Sequence, residues 1–383
     1  MEGRLWDQLT HISTLKAAWE KVALNRGAPG VDGVSVEEFE ANLDRELKSL
    51  QMALINRTYS PSPVRKSVIR SVDGGEREIG IPTVRDRIVQ QALHRILSPL
   101  FEPTFLECSF AYRPNKGALK AVQLASQYIR GGYRWVLRTD IDDFFDSIDH
   151  DILMDMLRER IDEPEILELI EAMLKVKVFD EMSFRECEVG VIQGSGLSPL
   201  LANIYLTPFD RFMTHRGYEM IRYADDIAVF GMEEGTIREA LQEAGEFLET
   251  LKLSLNEEKT KVINVEEEGF VFLGYHFDPA GKRASRRAVE VLELKLEELA
   301  EGMRGESPMR QMERFLVSIR GWRNYYGAVP PIEPRNLPML AALLTSAVEV
   351  GDRRPIDELI ARRLSFEEAD PELAIHTAGM WIK

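Results

Sequence analysis

The chain has 383 residues, 44% of them hydrophobic and 29% charged, and its 48 Lys+Arg against 64 Asp+Glu give a net charge of −16. That composition excludes a disordered or low-complexity protein, and no uncharged apolar run reaches the roughly 18–20 residues of a membrane span. Two cysteines, Cys108 and Cys187, are too few for a four-cysteine zinc site or a disulfide framework. Met1 to Asp7 has no apolar stretch of the secretory type, so a cytoplasmic, reduced protein is expected.

Residues 1–60 are predicted mostly helical, with Leu15, Ala18, Trp19, Val22 and Ala23 at helical spacing. The turn-rich Gly27-Ala-Pro-Gly-Val-Asp-Gly33 interrupts them, and Ser35 ahead of Glu37, Glu38 and Phe39 predicts a capped helix start. Val64 to Val72 and Glu76 to Ile81 around Asp73-Gly74-Gly75 predict a hairpin, followed by helices over Val84 to Phe101 and Lys116 to Ile129. Tyr133 to Ile141 reads as a strand and Ile152 to Lys177 as helical. A glycine-rich loop from Val189 leads into a helix through Ile204, then come a hairpin over Met220 to Phe230 and a helix over Thr236 to Leu251. Phe270 to Phe277 is predicted as one short strand, and Arg286 to Glu301 and Met309 to Tyr326 as two helices. Past Gly327 the prolines Pro330, Pro331, Pro334 and Pro338 mark a boundary. Helices interleaved with antiparallel strands predict an α+β fold.

The charge is uneven: residues 61–140 hold 13 Lys+Arg against 7 Asp+Glu, leaving −22 for the rest. Such a stretch can form a phosphate-binding surface or an ordinary solvated face, so the partner must be read from motifs. In Ile221-Arg-Tyr-Ala-Asp-Asp-Ile-Ala-Val-Phe230, Asp225 and Asp226 sit between two apolar strands. Carboxylates there are costly to desolvate unless paired or bound to a cation; a solvent-facing Asp-Asp turn is the alternative. Trp135 to Asp146 runs a strand into Asp140, then Asp142, Asp143, two aromatics and Asp146. Asp140 with the hairpin pair makes a plausible two-metal site for phosphoryl displacement, whereas Asp142, Asp143 and Asp146 read as helix caps. Gly190-Val-Ile-Gln-Gly-Ser-Gly-Leu-Ser-Pro199 permits close backbone approach to a ligand.

Together and in this order, these segments resemble reverse transcriptases of the group II intron type. Gly27 to Gly33 is similar to that family's N-terminal extension, and Arg77 to Arg87, Val89 to Ala92 and Ser109 to Pro114 to its finger motifs. Leu251 to Lys261, Phe272-Leu-Gly-Tyr275 and Arg320-Gly-Trp-Arg-Asn-Tyr-Tyr326 resemble the later palm motifs and the thumb, so the resemblance runs over roughly residues 15–327. It implies a right-hand polymerase with an antiparallel palm sheet and helical thumb: residues 1–59 an N-terminal extension, 60–280 fingers and palm, 281–327 thumb, 328–383 an acidic helical region. Implied with it are an RNA template, a DNA or RNA primer, dNTPs and two Mg²⁺ ions, with Mn²⁺ as a substitute.

Carried over by position, Asp140, Asp225 and Asp226 become the catalytic carboxylates, with Asp140 and Asp225 the main metal ligands and the Ile141 backbone helping. Phe145 matches the residue that blocks a ribose 2′-OH. Arg70 and Arg85 become finger contacts to the triphosphate, with Lys66 competing with Arg70. Gln193 and Gly194 line the nucleotide pocket, Lys259 protonates pyrophosphate, and Phe272, Leu273 and Gly274 form the primer grip. Trp322, Tyr325 and Tyr326 read either as minor-groove contacts or as a helix packing face, and Cys108 and Cys187 as buried thiols. Residues 328–383 carry net −3 and residues 283–325 only +2, and neither a basic DNA-binding segment nor a His/Cys-rich endonuclease is evident. That departure favours a stand-alone relative in a phage-defence or CRISPR adaptation setting, its C-terminal region contacting protein or a second copy. An intron-encoded RNA-binding maturase, and a template-independent or protein-primed polymerase, are the alternatives.

Overall fold

The computed structural model describes residues 4–70, 76–180, 183–185, 189–302 and 308–327. The tip of the first hairpin, Cys187, Met303 and the acidic region 328–383 lie outside the described residues, as does the side chain of Arg70.

Four helices open the chain: α1 (Leu5–Thr10), α2 (Ile12–Asn25), α3 (Val36–Glu40) and α4 (Leu43–Ile55). The apolar stripe of α2 buries Leu15, Ala18, Trp19 and Val22. At α3, Ser35 Oγ accepts from the Glu38 N–H at 3.1 Å while the Glu38 carboxylate accepts from the Ser35 N–H at 2.9 Å, a capping box that satisfies two otherwise orphaned donors. Strands β1 (Val64–Arg70) and β2 (Glu76–Ile81) precede the long α5 (Val84–Phe101), which Thr83 caps. After these come α6 (Ala118–Arg130), β3 (Trp135–Asp140) and the one-turn α7 (Phe144–Ser147).

The helical stretch expected over 152–177 is divided into two helices, α8 (His150–Arg158) and α9 (Pro164–Leu174). Pro164 is the reason: it sits at the first position of α9, where a missing N–H costs nothing, and would break a continuous helix. The three-residue strands β4 (Val178–Asp180) and β5 (Ser183–Arg185) were not expected, being too short for an alternating pattern. Next come α10 (Ser198–His215), the hairpin β6 (Glu219–Tyr223) and β7 (Asp226–Gly231), and α11 (Glu234–Thr250). The stretch read as one strand from Phe270 is also two, because Leu273 and Gly274 turn at φ 47° and 77°. After β8 (Lys261–Asn264), β9 (Phe270–Phe272), β10 (Tyr275–Asp278) and β11 (Gly281–Ala284) form an antiparallel sheet, followed by α12 (Arg286–Gly302) and α13 (Pro308–Tyr326).

By contacts the described residues divide into two compact units, one within residues 1–69, 76–116 and 135–262, the other within 70–75, 117–134 and 263–383. The first holds a continuous core of α1–α5 and α7–α11, with Leu47, Leu50, Ile88, Leu93, Leu137 and Phe209 fully enclosed. It carries a sheet in the order β2-β1-β4-β5, and β6, β7 and β3 stand side by side in a second, whose far edge begins β8. The second unit packs stacked Phe270 and Phe277 with Tyr275, Trp322 and Tyr325. Trp322 and Tyr325 are buried, so the aromatics of α13 form a packing face. Among the described residues, no helix is long and apolar enough to cross a membrane.

Candidate active site

Three carboxylates reach one end of the β6-β7-β3 strands by backbone register. Antiparallel pairing of β3 with β7 sets Asp140 opposite Asp226. The β6–β7 hairpin closes on the pair Tyr223 and Asp226, which leaves Ala224 and Asp225 at its tip. Ala224 takes φ 59°, a left-handed conformation that a side chain disfavours and that must be held by its surroundings. The Ile141 N–H, just past β3, donates to the Asp225 carbonyl at 3.3 Å.

The side chains there are engaged by cations. Lys259 Nζ contacts Asp140 Oδ2, and an Arg138 guanidinium nitrogen contacts Asp226 Oδ1. The loop that delivers Lys259 is itself anchored: the Asn256 N–H donates to the Asp140 carbonyl at 2.8 Å, Asn256 Nδ2 to Asp142 Oδ1 at 3.0 Å, and the Lys259 N–H to Asn256 Oδ1 at 3.1 Å. Burial pushes the Asp226 carboxyl up to about 6; Arg138 opposes that shift, and the charges of Asp140 and Asp225 add to it.

Such mutual repulsion among carboxylates is what a hard divalent cation relieves, and carboxylate oxygens are the donors it prefers. Among the described residues, however, no three His, Cys, Asp or Glu side chains converge as a metal cage. The Asp140 and Asp226 carboxylates are oxygen donors of the kind a divalent cation takes, and it would compete with Lys259 for the first and with Arg138 for the second.

Five residues beyond Asp140 in sequence, Phe145 is half-buried on α7 and packs edge-on to Phe144, ring centres 5.3 Å apart. Its carbonyl accepts from the Val191 N–H at 2.7 Å, so the glycine-rich loop rides on α7. Gln193 Nε2 lies 3.5 Å from Asp146 Oδ2, and the Gln193 carbonyl accepts from the Gly80 N–H at 3.0 Å. Gly194, at φ 106°, leaves no room for a side chain against the Gly80 carbonyl. The structure thus brings Phe145, Gln193 and Gly194 together.

Comparison with known proteins decides the family. The family model described as reverse transcriptase (RNA-dependent DNA polymerase) matches residues 65–277, more than half of the chain. Protein YkfC of Escherichia coli (strain K12) is 31% identical over 315 residues, covering 71% of this chain and 82% of YkfC. The group II intron-encoded protein LtrA of Lactococcus lactis subsp. cremoris is 31% identical over 211 residues, 55% of this chain but only 35% of LtrA. Among solved structures, a partial Cas6-RT-Cas1–Cas2 complex matches at TM-score 0.41 and 21% identity, over 66% of this chain and 44% of that one. The chain is a group II intron-like reverse transcriptase. Its α+β fold and its membership among RNA-directed DNA polymerases are those the sequence led us to expect.

Not every residue singled out in this reverse transcriptase reaches the carboxylates. Arg85 extends toward Ser49 of α4, 3.5 Å away, rather than toward the glycine-rich loop. Lys66 is paired with Glu78 at 2.6 Å, and the Arg70 side chain lies outside the described residues. Phe272, Leu273 and Gly274 form the β9–β10 corner of the second unit. There Tyr275 and Tyr325 exchange hydroxyl-to-carbonyl bonds with their neighbours: Tyr325 Oη donates to the Leu273 carbonyl at 2.8 Å, and Tyr275 Oη to the Tyr325 carbonyl. Cys108 is half-buried and its thiol is pushed up to about 12 by burial, with Asp210 adding to the shift.

Sequence reasoning missed three residues of the candidate site. Arg138 and Asn256 touch the carboxylate cluster but carry no local signal beyond an alternating strand and a turn. Arg222 is the third, fully enclosed and paired with equally enclosed Asp210. A charge inside the apolar run Met220 to Ile227 was its available signal; breaking such a buried pair on one side costs about 3–5 kcal/mol.

Proposed function

We propose that this reverse transcriptase extends a DNA or RNA primer on an RNA template with dNTPs, using two Mg²⁺ ions held by Asp140 and Asp225, with Asp226 and the Ile141 carbonyl in support. The observation that carries the reading is the register that sets Asp140 opposite Asp226 with Asp225 at the hairpin tip between them. Bound Mg²⁺ would neutralise charge on the attacking and leaving oxygens of an in-line displacement. The chain's own residues do the rest. Phe145, fixed by its carbonyl to Val191, occupies the space a ribose 2′-OH would need. Gln193 and Gly194 support the nucleotide from the glycine-rich loop. Lys259 Nζ carries the proton that pyrophosphate takes on leaving, and must release Asp140 to do so. Phe272, Leu273 and Gly274 hold the primer, and Arg70 or, once released from Glu78, Lys66 meets the triphosphate together with Arg85, which must first swing away from Ser49. A stand-alone setting in defence or CRISPR adaptation, in the cytoplasm, completes the proposal; the net charge of −3 over residues 328–383 suits contact with protein better than with phosphates.

The test is primer extension by purified protein with Mg²⁺, dNTPs and a primed RNA. Wild type should extend the primer and Asp225→Asn should not, because a neutral amide is a poor substitute for an anionic ligand of Mg²⁺. Normal extension by that variant overturns the metal assignment. A wild-type protein that binds primed RNA yet adds no nucleotide points instead to an RNA-binding maturase role.

A further inference from the structure

Arg222 is enclosed beneath the hairpin tip and makes contacts in five directions. Its Nε donates to Asp210 Oδ1 at 2.6 Å and its Nη2 to Asp210 Oδ2 at 2.5 Å. Nη2 also reaches Ser109 Oγ at 3.0 Å, while Nη1 donates to Asn203 Oδ1 at 3.2 Å and to the Ala224 carbonyl at 3.0 Å. Asn203 and Asp210 stand seven residues apart on one stripe of α10, so a single helix presents both acceptors. Asn203 Nδ2 in turn donates to the Ala111 carbonyl at 2.9 Å, and the Arg222 main chain bonds Cys108 and Phe110. A guanidinium presents its donors in a rigid planar fork. Once Asp210 orients that fork, the two N–H groups of Nη1 are aimed as well, toward Asn203 Oδ1 and toward the Ala224 carbonyl.

That contact matters because Ala224 leads directly into Asp225. Ala224 is not glycine, yet it turns at φ 59°, and its peptide bond joins it to the carboxylate at the tip. Two peptide planes flank Asp225. The Ala224–Asp225 plane is held through its carbonyl by Arg222, and the plane after Asp225 is held by the Ile141 N–H. Arg222 also lies close enough for its charge to act on Asp225 across the turn, although burial and Asp210 dominate its surroundings.

We propose that Arg222, oriented by Asp210 and Asn203, is the positioning residue that locks the Ala224 carbonyl and thereby aims the Asp225 carboxylate. The proposal rests on the polymerase reading above and adds a residue that touches neither substrate nor metal. A shift of about 1 Å in a reacting group can cost on the order of 100-fold in rate, so a loosened turn should act on kcat rather than on binding of primed RNA.

Three variants separate this role from simple stabilisation. Arg222→Lys keeps the charge but loses the fork. Arg222→Met with Asp210→Leu replaces the buried pair by apolar side chains, which commonly keeps or raises stability, yet leaves the Ala224 carbonyl without its donor. Ser109→Ala removes a contact on the far side of the guanidinium from Ala224. Each is read by Tm, by kcat and KM for dNTP, and by the Mg²⁺ concentration that half-saturates both extension and the Mg²⁺-dependent rise in Tm. The double variant should stay within a few degrees of wild-type Tm while kcat falls roughly 10- to 100-fold and half-saturation by Mg²⁺ moves severalfold higher. Arg222→Lys should show the same shifts at smaller size, and Ser109→Ala neither. A double variant with wild-type kcat and Mg²⁺ response, at any Tm, overturns the proposal and leaves Arg222 a structural ion pair. So does a double variant too unstable to fold if Arg222→Lys is folded and kinetically normal. A wild-type protein that neither extends a primer nor gains stability from Mg²⁺ overturns the polymerase reading instead.

Discussion

The hydroxyl of Tyr325 donates a 2.8 Å hydrogen bond to the main-chain carbonyl of Leu273, the residue that bends at φ 47° between β9 and β10. Next to it, Tyr326 lays its own hydroxyl against the α-carbon of Gly274, where a Cβ would collide, and that buried oxygen has no hydrogen-bond partner among the described residues. Adjacent tyrosines on α13 therefore treat the same corner in opposite ways. One satisfies a carbonyl; the other fills space that only glycine leaves open.

Replacing them by phenylalanine should therefore act with opposite signs. Tyr325→Phe leaves the Leu273 carbonyl unpaired and should cost about 1–3 kcal/mol. Tyr326→Phe removes an unsatisfied buried hydroxyl and should be neutral or stabilising by up to about 1 kcal/mol. Urea unfolding of the two variants checks this, and equal losses would contradict it.

Phe145→Ala should open the space beside the glycine-rich loop and admit ribonucleotides. The ratio of kcat/KM for dNTP over rNTP should fall by about 10-fold or more, as an enlarged pocket loses its steric rejection. An unchanged ratio would place the sugar gate elsewhere.

The Asp226 carboxyl, pushed up to about 6, gives a pH signature of definite sign. Between about pH 4 and pH 6 the folded chain keeps a proton that the unfolded chain has lost, so this group's contribution to stability falls as pH rises through that window. Above pH 6 the loss is complete. Asp226→Asn should therefore raise Tm relative to wild type more at pH 7 than at pH 4.5. Because a divalent cation held as proposed would bind the ionised cluster, the gain in wild-type Tm on adding Mg²⁺ should also grow from pH 5 to pH 7. A variant-minus-wild-type difference that is flat with pH would show that Asp226 is not held protonated.

Gly30 sits where the Gly27–Gly33 turn lies against the start of α5, and a Cβ there would come within 2.7 Å of Thr83 Cα and 2.9 Å of the Pro82 carbonyl carbon. Arg65 and Arg87 tie the same turn down by donating to the carbonyls of Pro29 and Ala28. Gly30→Ala should force backbone apart and destabilise by about 1–3 kcal/mol, read as a lower Tm. Among the described residues a Cβ at Gly33 meets nothing within 4 Å, so Gly33→Ala should cost only the strain of its φ of 72°. A Gly30→Ala loss no larger than that of Gly33→Ala would mean that the turn is not packed there.

Much of the fold arises from local chemistry that the amino-acid order states outright. Ser35 and Glu38 form their capping box with no help from distant residues, α2 buries the stripe its spacing predicts, and the run from Met220 to Phe230 closes on a two-residue turn. The order of the motifs also determined the family, since Asp140, Asp225 and Asp226 are recognisable by type and position alone. Where local rules compete, the pattern is ambiguous: apolar spacing runs across the break at Pro164, and left-handed backbone at Leu273 splits one apolar run into two strands. What only the tertiary structure decided is where the long, polar side chains end. Arg85 turns to α4, Arg138 to Asp226, Lys259 to Asp140, and Arg222 to an aspartate twelve residues away and a serine 113 residues away in sequence. A burial pattern shows which face of a strand is inside. It does not show which carboxylate waits there, because that partner arrives from another element, and only packing brings the two together.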